Sequence, residues 1–187
     1  MNRKSENYNH TIVACFAGYI VQAIINNFVP LLFLTFNELY GISFGLLGLL
    51  VLINFCTQLT IDLIFSFFSH KFNIPLAVKI TPLLTFIALL IYTLWPLASP
   101  QTAYVGMLFG TFLFSISGGF AEVLISPVIA AIPSENPDRE MSKLHSVYAW
   151  GVVAVIIISA LFLLLVGGEH WQYLALGFAL VPLTSAI

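Results

Sequence analysis

Glu122 is the only charged side chain between Lys79 and Glu135. It stands in "GGFAEVLISPVIAAIP", Gly118 to Pro133, inside a long apolar run. An ionised group at the centre of a bilayer costs at least ~2.5–3.5 kcal/mol. Without a cationic partner at that depth, burial disfavours the charged form. Such a carboxyl is expected to be protonated much of the time, and to load or release a proton whenever water reaches it. Two amide stripes accompany it. Asn54, Gln58 and Asp62 stand four residues apart, as do Gln22 and Asn26, with Asn27 beside them. Four-residue spacing stacks side chains on one helix face. Amides surrounded by hydrocarbon need partners, so these faces should point into a bundle or a wet cavity. They could also serve as plain helix–helix glue. Taken with Glu122, the two stripes favour a cavity that offers donors and acceptors to a small polar solute.

Other reactive residue types have simpler readings. Asp62, His145, His70, Lys71 and Arg139 form a second rank of polar or gating candidates. Asp62 falls in the half of its helix nearer His70, and His145 opens a helix in "KLHSVYAWG". His10 and His170 read as solvated flanks, and Cys15 and Cys56 as small packing residues. No His/Cys/Asp/Glu set has metal-ligand spacing, no phosphate loop is present, and no basic patch fits nucleic acid. No cofactor and no enzymatic activity are expected. "SISGG" places Ser117 before Gly118, but Ser115 stands where a G-x-S-G protease nucleophile needs its first Gly, and His170 lies outside a helix interior.

The elements that must position these residues are helices in lipid. Of the 187 residues, 60% are hydrophobic and 7% charged, against about 25% charged in a soluble domain. A chain so short of polar surface has lipid for a solvent. Six apolar segments are long enough to span, at approximately 11–36, 44–69, 79–97, 102–132, 142–166 and 171–187. They are continuous rather than alternating, which argues against a β-barrel. All six basic residues, Arg3, Lys4, Lys71, Lys79, Arg139 and Lys143, fall in the N-terminus and in the second-to-third and fourth-to-fifth connections. The positive-inside rule therefore places the N-terminus in the cytoplasm of a multi-pass protein of the cell membrane. Trp95, Tyr104, Trp171 and Tyr173 then fall at the outer interface. The first segment is too long for a cleaved signal and lacks an A-x-A site, so it is expected to be a retained helix.

The chain reads as one all-α domain, 1–187, built as two three-helix repeats. "NNFVP" (Asn26 to Pro30) in the first helix echoes "EVLISP" (Glu122 to Pro127) in the fourth, each with polar groups shortly before a proline. Interruptions at matching positions point to a transport site between repeats. The last segment stops without a charged flank, which makes the chain read as half of a larger assembly. It would be completed by an absent C-terminal half or by a second copy.

These residues resemble the N-terminal six-helix half of a major facilitator superfamily transporter, in the branch of fucose-permease-like sugar:proton symporters. The resemblance runs over most of the chain and is best from Gly118 to Gly151, where "GGFAEVLISPVIAAIP", an acidic loop with Arg139, and "LHSVYAWG" follow in the family's order. Glu122 matches a helix-four Glu of that branch, which lies in the substrate cavity. Asn26 stands where the fucose carriers have an Asp four residues before a proline. The loop signature between helices two and three survives in part as "SFFSHKFNIP": Ser66 replaces a Gly, His70 an Asp and Asn73 a second Gly, while Lys71 stays basic. The resemblance implies a twelve-helix fold and a proton-coupled carrier of a small polar solute such as a sugar, with Glu122 binding proton or substrate. An alternative is the substrate-binding subunit of an energy-coupling-factor vitamin transporter, which has a similar length and docks through small residues, here Ala14 and Gly18.

Overall fold

A computed structural model of the chain describes residues 3–72, 74–134 and 136–185, with side chains throughout these except at 3–8, 74, 75, 79, 184 and 185. Among the described residues there are seven α-helices: α1 (Arg3–Leu31), α2 (Phe33–Tyr40), α3 (Phe44–Phe68), α4 (Ile74–Ala98), α5 (Ala103–Ala131), α6 (Pro137–Leu165) and α7 (Trp171–Ser185). Asn73 of the loop signature, the Lys79 side chain and the chain end at 186–187 lie outside what is described.

The expected first helix, 11–36, is two helices. Pro30 lacks an N–H, and the chain breaks just past it at Leu32, whose N–H reaches only to Val29 O at 3.1 Å. Helix α2 restarts with Phe36 N–H on Leu32 O at 2.8 Å and stops at Gly41, whose positive φ of 66° is a left-handed C-terminal cap. The matching proline does not act alike: α5 runs through Pro127 to Ala131, so the proposed echo produces an interruption on one side only. Helix α6 begins at Pro137 rather than near 142. Asn136 accepts from Arg139 N–H at 3.0 Å, Pro137 occupies the first turn, and Asp138 and Glu140 sit at the positive end of the helix. Helix α4 likewise starts earlier than expected, at Ile74.

Among the described residues five helices, where six were expected, are long and apolar enough to cross a membrane: Asn9–Leu31, Phe44–Lys71, Leu76–Ala98, Pro100–Ala131 and Pro137–Leu165. Helix α7 has 15 described residues, a rise of about 22 Å, below the ~30 Å of a hydrocarbon core.

Helices α1 and α5 are central. α1 packs on α3, α5, α6 and α7, and α5 packs on α1, α3, α4 and α6. Exchanging the first and second helix triplets maps neighbours onto neighbours: α1 with α6 becomes α5 with α3, and α4 with α5 becomes α7 with α1. The largest core side chains, Phe28, Phe36, Tyr92, Phe114 and Trp171, are fully buried where α1, α2, α4, α5 and α7 meet. Helices α3 and α6 carry long exposed apolar faces, including Phe55, Leu59 and Phe67 on one and Trp150, Ile157 and Leu164 on the other, as lipid contact requires.

The α4–α5 contact is closest at Gly110, where a Cβ would lie 2.8 Å from Tyr92 Cα and 2.9 Å from Tyr92 N. Backbone atoms cannot swing aside, so Gly110→Ala should lower stability by about 1–3 kcal/mol. Gly48, with nothing near its missing Cβ, is the control: Gly48→Ala should be neutral or gain up to about 1 kcal/mol. Thermal unfolding of the two purified variants against wild type measures both.

Candidate functional site

Helix α1 carries Tyr19, Gln22 and Asn26 on one face, at spacings of three and four. Helix α5 supplies Glu122, and α6 supplies His145 and Tyr148. These six side chains line one cavity of about 220 Å³ between the three helices. At about 30 Å³ per water it has room for about seven. All six lining residues carry a polar group.

Behind the cavity wall lies a buried amide network. Gln22 Nε2 donates to Gln58 Oε1 at 2.9 Å. Gln58 Nε2 donates to Asn26 Oδ1 and to Asn54 Oδ1, each at 2.8 Å. Asn54 Nδ2 donates to Asn26 Oδ1 at 3.2 Å, and the single Ser115 hydroxyl proton is within reach of both Asn54 Oδ1 at 2.7 Å and Thr111 O at 2.5 Å. Every contact pairs a donor with an acceptor, and α1, α3 and α5 are joined through it. Gly118 permits the approach: a Cβ there would stand 3.3 Å from both Gln22 Oε1 and Gln58 Cδ. One atom is left over. Gln22 Oε1 is buried and has no partner, although Gln22 itself is only 5% exposed.

The sequence-derived candidates therefore separate. Glu122, Gln22, Asn26 and His145 share the cavity, and Glu122 itself is exposed. Counting nine residues to Ala131 puts Glu122 about 13 Å from that end of α5. Asn54 and Gln58 are buried behind the wall and satisfy other amides, which is the glue reading for those two. Asn27 turns back to its own helix, donating to Ala23 O at 2.9 Å. Asp62 is half-buried on α3, with Oδ1 lacking a partner, and does not line the cavity. The gating candidates stand apart: His70 and Lys71 occupy an exposed turn after α3, with Lys71 Nζ 5.1 Å above the Phe68 ring, and Arg139 is exposed in the first turn of α6.

Tyr19 and Tyr148 escaped the sequence reading. The Tyr19 ring meets His145 and Tyr148 edge-on, with centroids at 5.9 and 6.0 Å, and its hydroxyl pairs with Ser126 Oγ at 2.8 Å. The signal was present: Tyr19 extends the Gln22–Asn26 stripe by one turn, and Tyr148 follows His145 by three. Among the described residues no group of three or more His, Cys, Asp or Glu could hold a metal ion. Ser117 is buried, donating to Thr81 O at 2.7 Å and meeting the Thr85 hydroxyl, whereas His170 stacks on Tyr173 in the turn before α7. The two are not brought together. Ala14 and Gly18 line a separate apolar cavity of about 100 Å³ against Thr81 and Pro82 of α4 and Ile125 of α5, so these small residues face the interior of the bundle.

Helix length and hydropathy define the class: an all-α, multi-pass membrane protein. Compared with known proteins, the chain matches no family model, no curated relative and no solved structure.

Proposed function

We propose that the chain is the solute- and proton-binding half of a secondary transporter of the major facilitator type, residing in the cell membrane with its N-terminus in the cytoplasm. The observation that carries this reading is the cavity in which Glu122 meets Gln22, Asn26, Tyr19, His145 and Tyr148. A carboxyl that trades a proton with water, set among groups that hydrogen-bond a neutral polar solute, is what coupled transport needs. The exchange of neighbours between the two helix triplets supports a repeat architecture, and the break at Leu32 supports an interrupted helix beside the site. Glu122 serves as proton carrier or substrate acceptor. Gln22 and Asn26 contact the solute, a sugar being one fit, and Asn54 and Gln58 hold them in place. The other wall of the site comes from a C-terminal half or a second copy, and rocking of the two would open it to either side.

The test is reconstitution of the full-length protein in liposomes enclosing a pH-sensitive dye, with a panel of neutral polar solutes outside. Downhill entry of a transported solute should change the internal pH. Uptake without a pH change removes the proton from the reading, and no uptake of any solute removes transport.

A further inference from the structure

Helices α1 and α4 both pack on α5 and on α7, but among the described residues they hardly touch each other. At one end, α7 fills the seam between them. Trp171 lies edge-on to Phe36 at 4.9 Å and to Tyr92 at 6.1 Å, and Phe178 lies edge-on to Phe28 at 5.4 Å. As α7 advances from Trp171 to Phe178, its partners step back from Phe36 to Phe28, so it runs antiparallel to α1. At the other end the seam is an apolar cleft of about 100 Å³. Ala14, Gly18 and Val21 of α1 face Pro82 and Thr85 of α4 across it, over Leu124 of α5. The threonine hydroxyls of α4 are already engaged: Thr81 Oγ1 donates to Ala77 O at 2.7 Å and Thr85 Oγ1 to Thr81 O at 3.1 Å. Such a cleft offers dispersion contacts and little else, and protein interiors are close-packed.

The cleft lies on the track of α7. With Phe178 opposite Phe28, Ser185 falls at the level of Val21, and the level of Ala14 is reached about seven residues later, at equal rise along both helices. Those residues would lengthen α7 from about 22 Å to about 33 Å, enough for the ~30 Å of a hydrocarbon core. The exchange of helix triplets points to a similar length: α4, the counterpart of α7, has 25 residues, where α7 has 15 described ones. We propose that the α1–α4 cleft is the seat of a helical segment that prolongs α7 by about two turns and completes a sixth span. The segment extends an interface that α7 has already begun, and the side chains it turns toward α1 and α4 are apolar. This assignment is independent of what the polar cavity carries.

Cysteine scanning of the full-length chain in lipid nanodiscs tests it. Cys15 lines the cleft, and Cys56→Ser removes the exposed thiol on α3. Any other native cysteine is replaced in the same way, and a new cysteine is placed at each position after Ser185 in turn. Copper phenanthroline then oxidises thiols that lie close together. In the same register, Cys15 stands opposite the position about six residues past Ser185. Intramolecular disulfides to Cys15 should form there and one turn to either side, at a yield about tenfold above the positions between, whose Cβ atoms point away. No intramolecular disulfide to Cys15 at any position overturns the proposal and leaves the cleft to acyl chains. Disulfides between two chains overturn it in favour of a second copy. If the cysteine variants do not fold, Ala14→Leu supplies the readout. Against a packed helix the larger side chain should lower the thermal midpoint, as overpacking does. Acyl chains would move aside for it, so an unchanged midpoint overturns the proposal.

Discussion

Glu122→Gln should reduce proton-coupled solute uptake to the level of empty liposomes, while exchange of solute across the same membrane continues. A glutamine keeps the size of the side chain and its capacity to donate and accept hydrogen bonds, so the cavity with Gln22, Asn26, Tyr19, His145 and Tyr148 keeps its lining. It cannot release a proton. Insertion should be unimpaired, because a neutral amide is cheaper in hydrocarbon than a carboxylate. Uptake driven by a pH gradient, set beside equilibrium exchange of labelled solute, separates the two activities. Full gradient-driven uptake in the variant would show that the proton travels elsewhere, with Asp62 the next carboxyl to test. Loss of both activities together with normal expression would assign Glu122 to solute binding instead of proton transfer.

The second large effect lies away from the site. Trp171→Ala should cost about 3–5 kcal/mol, a large part of the 5–15 kcal/mol by which folded domains are commonly stable. Trp171 is fully buried at the start of α7. Its ring meets Phe36 edge-on at 4.9 Å and Tyr92 at 6.1 Å, and its indole N–H reaches Tyr40 Oη at 3.4 Å. It is where α2, α4 and α7 touch, so its removal leaves a cavity shared by three helices. Trp150, 72% exposed on α6, is the comparison: Trp150→Ala should change the unfolding transition little. Near-equal losses in the two variants, measured by thermal unfolding in the same lipid, would show that the aromatic cluster does not hold α7 in place.

Much of this architecture was legible in the residues because lipid leaves few choices. Long apolar runs become helices, and the limits of α3 and α5 fall within a residue or so of those expected. The errors have local causes. Pro30 was recognised as an interruption, but the restart as α2 depends on Leu32 and on the Gly41 cap, which apolar content does not reveal. The early start of α6 was written in Asn136–Pro137–Asp138, a polar capping pattern overlooked because hydropathy alone set the boundary. At the site, four-residue spacing found Gln22, Asn26, Asn54 and Gln58, and isolation found Glu122. Spacing could not say which amides face the cavity and which face each other, because that depends on the partner helix. Asn27 shows the limit most plainly: adjacent to Asn26 in sequence, it points 100° around the helix and spends its amide on Ala23.

The internal pairing of the amides also bears on how the chain is made. Gln22, Asn26, Asn54 and Gln58 belong to α1 and α3, which leave the ribosome before α5, and they bond chiefly to one another. A nascent hairpin of α1 and α3 can thus conceal its water-loving faces from the acyl chains before the later spans are synthesised, needing only Ser115 to finish the job. Glu122 emerges sixty-four residues after Gln58 and finds that scaffold already standing.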